Sequence, residues 1–387
     1  MEKDSGLLYH IAFILKTTAW HINYNMITST EISDFLFYFL ISILCLACKE
    51  NVVFRHDPNL DPIIEIDTFI LDINLPKFAR PIYLDNDDLI FLNYDSQHEN
   101  EFHNFLYWCK MPANCQPIVP ALNYSLIDKV FSVTMYNHQI GIASFKNDLV
   151  WIDGQNNQSK FKLEYLSPEI KSGIAYSIDL YSSNNFIAMN KNKLVIPLNL
   201  SIKEERKHIP PKQIVLFDNG KHIKTLSSGK PILLPEMDGG MSFTYKNIHY
   251  FLDHSDSHVF ILWQGDNGLT IYDDVSGDIQ RFSHQQLFRY LHPFNDYNIL
   301  LSQERILDLR GNYPEVYILK QTEDGCSFIY VFNVQERTYG FKNIEGLNGN
   351  WLRVPSKDRH FCGYNMSLKE FYNIQLKTLN SSKESAK

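Results

Sequence analysis

An all-β fold, and within that class a β-propeller of five or six blades, is what this chain of 387 residues predicts, on three observations. The first is composition: 26 Phe and 22 Tyr against 17 Gly describe strands rich in aromatic side chains that are turned mainly by Asn and Asp. The second is a local pattern of short apolar runs, each followed by a polar turn and a second run. The third is the recurrence of that pattern at a nearly constant interval.

The hairpins are legible one by one. Pro81-Ile-Tyr-Leu84, Asp85-Asn-Asp-Asp88 and Leu89-Ile-Phe-Leu92 read as strand, turn and strand. Phe186 to Met189, Asn190 to Lys193 and Leu194 to Ile196 repeat the pattern, as do Phe260 to Trp263, Gln264 to Gly268 and Leu269 to Tyr272. In the last of these the Asn267-Gly268 pair supplies a residue tolerant of positive φ. A four-residue apolar strand closed by Asp or Asn ends at Asn93, Asp153, Asp218, Asp273 and Asn333, at intervals of roughly 60 residues. A unit this small cannot bury its own apolar face and must stack on its neighbours, which is the logic of a propeller blade. Asn199 to Pro211 reads as an insertion in one unit, and a sandwich or pair of sandwiches is the alternative reading of the same rhythm.

The strand Ile63 to Ile73 alternates Ile64, Ile66, Thr68 and Ile70 against Glu65, Asp67 and Phe69, and is placed to close the ring against the last blade. Ser283 to Tyr290 and Ser367 to Asn373 are each read as a short helix. The domain boundaries that follow are a leader over 1–47, a linker over 48–62, the propeller over 63–376 and a polar tail over 377–387.

The leader reading rests on the apolar run Phe35 to Ala47, which stops at Cys48 and the polar Lys49-Glu50-Asn51. A spanning helix needs about 17 to 25 apolar residues, whereas the core of an export signal needs about 7 to 15. The run therefore reads as an export signal, with an uncleaved anchor helix as the alternative. Initiation at Met26 would leave a leader of ordinary length. Cys45-Leu46-Ala47-Cys48 resembles the lipobox of bacterial lipoproteins, which implies that Cys48 is the lipid-attachment residue and the mature N-terminus. The remaining Cys109, Cys115, Cys326 and Cys362 allow three connectivities, with Cys109–Cys115 and Cys326–Cys362 preferred and free thiols also open.

A net charge of −8 and a pI near 6.0, with no Lys/Arg cluster, argue against sequence-independent nucleic-acid binding, which requires a basic footprint. No G-x-S-x-G, H-E-x-x-H, Walker-type or dinucleotide-binding motif is present, so the common routes to serine hydrolases, zincins and nucleotide enzymes are closed, and no cofactor is implied. The densest polar constellation is His249, Asp253, His254, Asp256 and His258, a weak metal candidate whose bland reading is a solvated hairpin tip. Asp85, Asp87, Asp88, Asp266, Asp273 and Asp274 are the obvious carboxylates for hydrolysis, and read first as turn formers. Trp108 and Trp351 with Tyr107 and Tyr272 are candidate ligand-binding faces, whereas Trp151 and Trp263, inside strand runs, are read as core.

Leader, cysteine and Asn/Tyr-rich strand units together resemble the six-bladed propeller lipoproteins, largely of unassigned function, found in Bacteroidota, over most of residues 45–345. The resemblance implies a lipid-anchored protein of the cell envelope, held to the membrane through its lipidated N-terminus. Its function would be to bind a glycan, peptide or envelope-protein partner at one face of the ring. The alternative is an envelope hydrolase or lyase acting on glycans with carboxylate or His groups in the funnel.

Overall fold

The computed structural model describes residues 54–70, 79–85, 88–95, 103–110, 114–117, 130–137, 139–144, 148–152, 158–164, 175–178, 186–201, 208–209, 212–228, 232–233, 250–263, 268–288, 305–322, 325–345, 347, 352–354, 360–365 and 370–377. The leader, Cys48 and the polar tail beyond Lys377 lie outside them, and the body that contains the sheets begins at Val53.

Strands β1 (Arg55–His56) and β2 (Ile63–Ile70) come first and are used last, in sheets completed by the other end of the chain. The first sheet is β3 (Ala79–Asp85), β4 (Asp88–Asp95), β5 (His103–Lys110) and β6 (Asn114–Pro117). The second is β7 (Val130–Tyr136), β8 (Gln139–Ser144), β9 (Asp148–Ile152) and β10 (Gln158–Lys162). In the third, β11 (Ala175–Ile178) and β12 (Ile187–Ala188) both pair with β13 (Lys193–Ser201), which continues to β15 (Lys212–Asp218) and β16 (Lys221–Ser228). A two-stranded ribbon of β14 (His208–Ile209) and β17 (Ile232–Leu233) stands apart from it.

The fourth sheet is β18 (Tyr250–Ser255), β19 (His258–Trp263), β20 (Leu269–Asp273) and β21 (Ile279–Phe282), followed by helix α1 (His284–Phe288). The fifth is β22 (Arg305–Asn312), β23 (Glu315–Gln321), β24 (Ser327–Asn333) and β25 (Thr338–Ile344), with β1 added in parallel outside β25. The sixth is β26 (Leu352–Arg353), β27 (His360–Asn365), β28 (Glu370–Lys377) and, outermost, β2. Among the described residues there are thus six sheets of four or five strands, each built on an antiparallel meander with β1 added in parallel to the fifth, and contacts join each innermost strand from β3 to β26 with the next. This is the propeller that the repeat predicts.

Closure follows the sequence expectation over Ile63–Ile70; residues 71–73 lie outside the described residues. Ile63 pairs with Lys377 and Ile70 with Glu370, so the N-terminal strand supplies the outer edge of the C-terminal sheet. The recurring apolar unit is the third strand of its meander at β9, β15, β20 and β24 but the second, β4, in the first sheet. Three readings are corrected. Glu370 to Asn373, read as helix, belong to β28, where Phe371 is buried on Tyr364 and the following Ile374 packs in the core shared with the fifth sheet. Residues 54–62, read as linker, fold onto the fifth sheet. Cys326, exposed, and Cys362, buried, are thiols rather than two halves of a bridge.

Asn and Asp do the turning. Asn137, Asn219 and Asp256 take φ of 48°, 49° and 47° at hairpin tips, where a short polar side chain tolerates the left-handed region. Gly268 takes φ +59°, and a Cβ there would lie 2.0 Å from the Phe282 carbonyl oxygen. The core fills the spaces between successive sheets. Trp151 packs with Phe186, Leu194, Ile196 and Phe217 between the second and third sheets. Trp263 packs with Tyr250, Leu216 and Leu226 between the third and fourth, and donates from Nε1 to Ser227 Oγ at 2.7 Å. Tyr317, Leu319, Val331, Phe361 and Ile374 fill the space between the fifth and sixth. Each buried aromatic or branched chain contributes about 1.5–3 kcal/mol of burial.

Candidate functional site

The charges that the fold brings together lie on the innermost strands of the last three sheets. A bulge at Leu307 shifts the register between Ile306 and Asp308, and beyond it Asp308 and Arg310, two residues apart, share one face of β22. Similar register shifts occur in the innermost strands of the first and second sheets, between Pro81 and Tyr83 and between Val130 and Ser132. Asp308 is 0% exposed, Arg310 4% and Arg353 6%.

Asp308 accepts from the Leu309 amide at 2.7 Å and from Arg353 Nε, and its Oδ2 lies 3.3 Å from Arg310. Arg353 also donates to the Leu252 carbonyl at 2.8 Å, and Arg310 Nε donates to the His360 carbonyl at 2.8 Å. Asp253, on β18, accepts from the Gly311 amide at 2.7 Å and stands 3.9 Å from Arg310. Two carboxylates and two guanidinium groups therefore tie the fourth, fifth and sixth sheets together near the axis. Their formal charges cancel. Gly311 is required here, since a Cβ would lie 2.0 Å from the Phe260 ring.

The two aspartates are chemically unlike. Asp308 is clamped between two arginines and serves as an anchor. Burial pushes the Asp253 carboxyl above its ordinary value, opposed by Arg310, His254, the Gly311 amide and Arg353. A partly accessible carboxyl that holds its proton more tightly is the type of group that acid/base chemistry uses.

Of the residues singled out from sequence, Tyr272 is 5% exposed in the wall between the third and fourth sheets, under the Lys224 ammonium at 5.1 Å, with burial pushing its phenol up. Asp274 beside it pairs with Lys193 at 2.5 Å, and this hydrogen bond raises the Lys193 ammonium. Tyr107 and Trp108 lie in β5, and their side chains are outside the described residues, as are Trp351 and His249. His254 is exposed on β18, Asp256 forms the following turn, and His258 stacks on Tyr313 at 4.1 Å and 4°. Among the described residues no three His, Cys, Asp or Glu side chains are grouped to hold a metal ion. Trp151 and Trp263, read as core, are each 1% exposed.

Sequence reasoning singled out Asp253 but missed Asp308, Arg310 and Arg353. The signal was present in Ile306-Leu-Asp-Leu-Arg310, where two charges at even spacing interrupt a strand otherwise apolar.

Which end of the sheets carries adaptable surface follows from the meander. The first-to-second and third-to-fourth strand turns share one end, and the other connections share the opposite end. Among the described residues the first end carries the two-residue turns 219–220, 256–257 and 313–314 as well as the longer 274–278 and 334–337, and the connections from one sheet to the next belong to the second end.

No family model matches the chain, and no curated protein matches it. Solved structures do. A Bacteroides fragilis protein described provisionally as exported is 12% identical, with a TM-score of 0.45 over 84% of this chain and 99% of that one. The WD40 propeller domain of Doa1 is 10% identical, with a TM-score of 0.37 over 75% of each chain. The propeller domain of the Trilobed protease from Pyrococcus furiosus, described as having an open velcro topology, is 11% identical, with a TM-score of 0.39 over 74% of this chain and 77% of that one.

Proposed function

We propose that this chain is an exported lipoprotein of the cell envelope, anchored through Cys48, whose six-bladed propeller binds a ligand or envelope partner at one face of the ring. The observation that carries the binding-face reading is the direction of the meanders: the connections from one sheet to the next leave the described strands at one end, and connecting segments carried on a rigid scaffold are where binding residues concentrate. Anchoring is supported by the lipobox-like Cys45 to Cys48, since two or more acyl chains hold a protein firmly at about 0.8 kcal/mol per buried CH₂.

The test is titration of the mature protein, by calorimetry, with a panel of envelope oligosaccharides and peptides. Replacing 229–249 by a short Gly-Ser connection is expected to abolish binding with the fold retained, while exchanging residues 256–257 leaves it intact. The opposite pattern overturns the reading. For the anchor, Cys48→Ala is expected to move the protein from the detergent phase to the aqueous phase, and unchanged partitioning counts against it.

One observation favours a second reading, a hydrolase or lyase acting on glycans. Asp253 is raised by burial and stands among arginines near the axis. That reading requires chain-shortened products by mass spectrometry and their loss in Asp253→Asn; binding without products excludes it for the panel.

A further inference from the structure

The segment ahead of the closing strand is fastened to a different sheet from the one it closes. Phe54 is 3% exposed and packs edge-to-face on Phe282 of the fourth sheet at 5.6 Å and on Phe332 of the fifth at 5.3 Å. The Arg55 amide donates to the Arg337 carbonyl at 2.9 Å and the Asp57 amide to the Tyr339 carbonyl at 2.8 Å, which fixes β1 along the outside of β25. His56 lies against Tyr339 and Phe341 at 5.4 and 5.5 Å.

The chain then turns through a 3-10 segment, Pro58–Leu60, capped by Asp57, which accepts from the Asn59 amide at 3.0 Å. Asp61 accepts from the Phe341 amide at 3.0 Å and from His56 Nε2 at 3.3 Å. Gly340 makes room for this turn, because a Cβ there would lie 2.3 Å from the Leu60 carbonyl carbon. Pro62 is buried, and β2 begins at the next residue.

We infer that residues 54–62 are a clasp that governs closure of the ring: the pairing of β2 with β28 holds only while Phe54 is seated between the fourth and fifth sheets. The physical reason is entropic. Pairing 63–70 with 370–377 joins the two ends of the body, a contact whose closure cost is high because almost the whole chain lies between its strands. A proline-stiffened turn that is already docked delivers β2 to its place with little freedom left to lose. The clasp also covers the outer edge of β25, which would otherwise present open backbone groups. Whatever cuts, displaces or pulls the segment before Ile63 therefore opens the ring at one defined seam. This inference stands independently of lipid attachment at Cys48.

Hydrogen exchange of the full chain tests it. In Phe54→Ala, the amides of Arg55, Asp57 and Phe341 are expected to lose protection, and those paired between β2 and β28 to exchange at least about tenfold faster, with β18–β20 unchanged. Asp61→Ala, which removes one hydrogen bond and no buried ring, is expected to show the same order of opening at smaller amplitude, and it decides the matter if Phe54→Ala does not fold. Wild-type protection of β2 and β28 while the clasp amides exchange freely overturns the inference, and so does a uniform loss through all sheets.

Discussion

The fifth sheet is held at its inner edge by charges and at its outer edge by rings. At the axis, Asp308 and Arg310 of β22 are bonded to Arg353 and the His360 carbonyl of the sixth sheet and to Asp253 of the fourth. At the rim, Phe54, Phe282, Phe332 and Phe288 pack edge-to-face. Directional pairs fix a register between strands but become liabilities when one member is lost, whereas aromatic burial tolerates substitution in proportion to area. The inner seam therefore fails abruptly and responds to pH. The outer seam weakens gradually.

The sharpest way to break this contrast is Asp308→Ala, which removes the carboxylate shared by two buried guanidinium groups. It is expected to cost about 3–5 kcal/mol in denaturant unfolding, and a loss under about 1 kcal/mol would show the inner seam to be dispensable. Phe54→Ala is expected to follow at about 3 kcal/mol, with Phe54→Leu recovering a large part; equal loss in both would mean that ring geometry, not burial, decides the rim.

Asp253→Asn sharpens the comparison through pH. The folded-state carboxyl is raised above its ordinary value of 3.8, so its contribution is full below that value and is lost as pH rises through the raised one. The variant, which can still accept from the Gly311 amide, is therefore expected to gain on the wild type as pH increases over that window. A difference in stability that does not vary with pH would show that burial does not dominate at this residue. The smallest effect belongs to neither seam. Lys193→Ala breaks the partly exposed pair with Asp274 and is expected to cost about 0.2–1 kcal/mol, shrinking further in high salt.

Much of the fold was legible because its signals are local. Asn137, Asn219 and Asp256 turn hairpins for reasons contained in two or three residues, and the alternation of Ile64 and Ile66 with Glu65 and Asp67 marked β2 as a strand with distinct faces. Residues 54–62 were misread as linker because nothing local betrays a docked segment. Phe54 ends a three-residue apolar run, Val52-Val53-Phe54, too short to carry a period, and its partners Phe282 and Phe332 lie more than two hundred residues away. Glu370 to Asn373 were misread because a short apolar run carries no decisive period, and pairing with β2 selected the strand.

By itself the sequence determined the class: small antiparallel units, turned by Asn and Asp, too small to stand alone and so obliged to stack. Alternation and turn chemistry act between neighbours along the chain, and they survive any change in which sheet packs where. Only the tertiary structure decided that Asp253, Asp308, Arg310 and Arg353 meet, and that Phe54 seals the rim. Those contacts depend on sheet order and on a one-residue bulge at Leu307, and a single shift of register would have turned Asp308 and Arg310 to the other face.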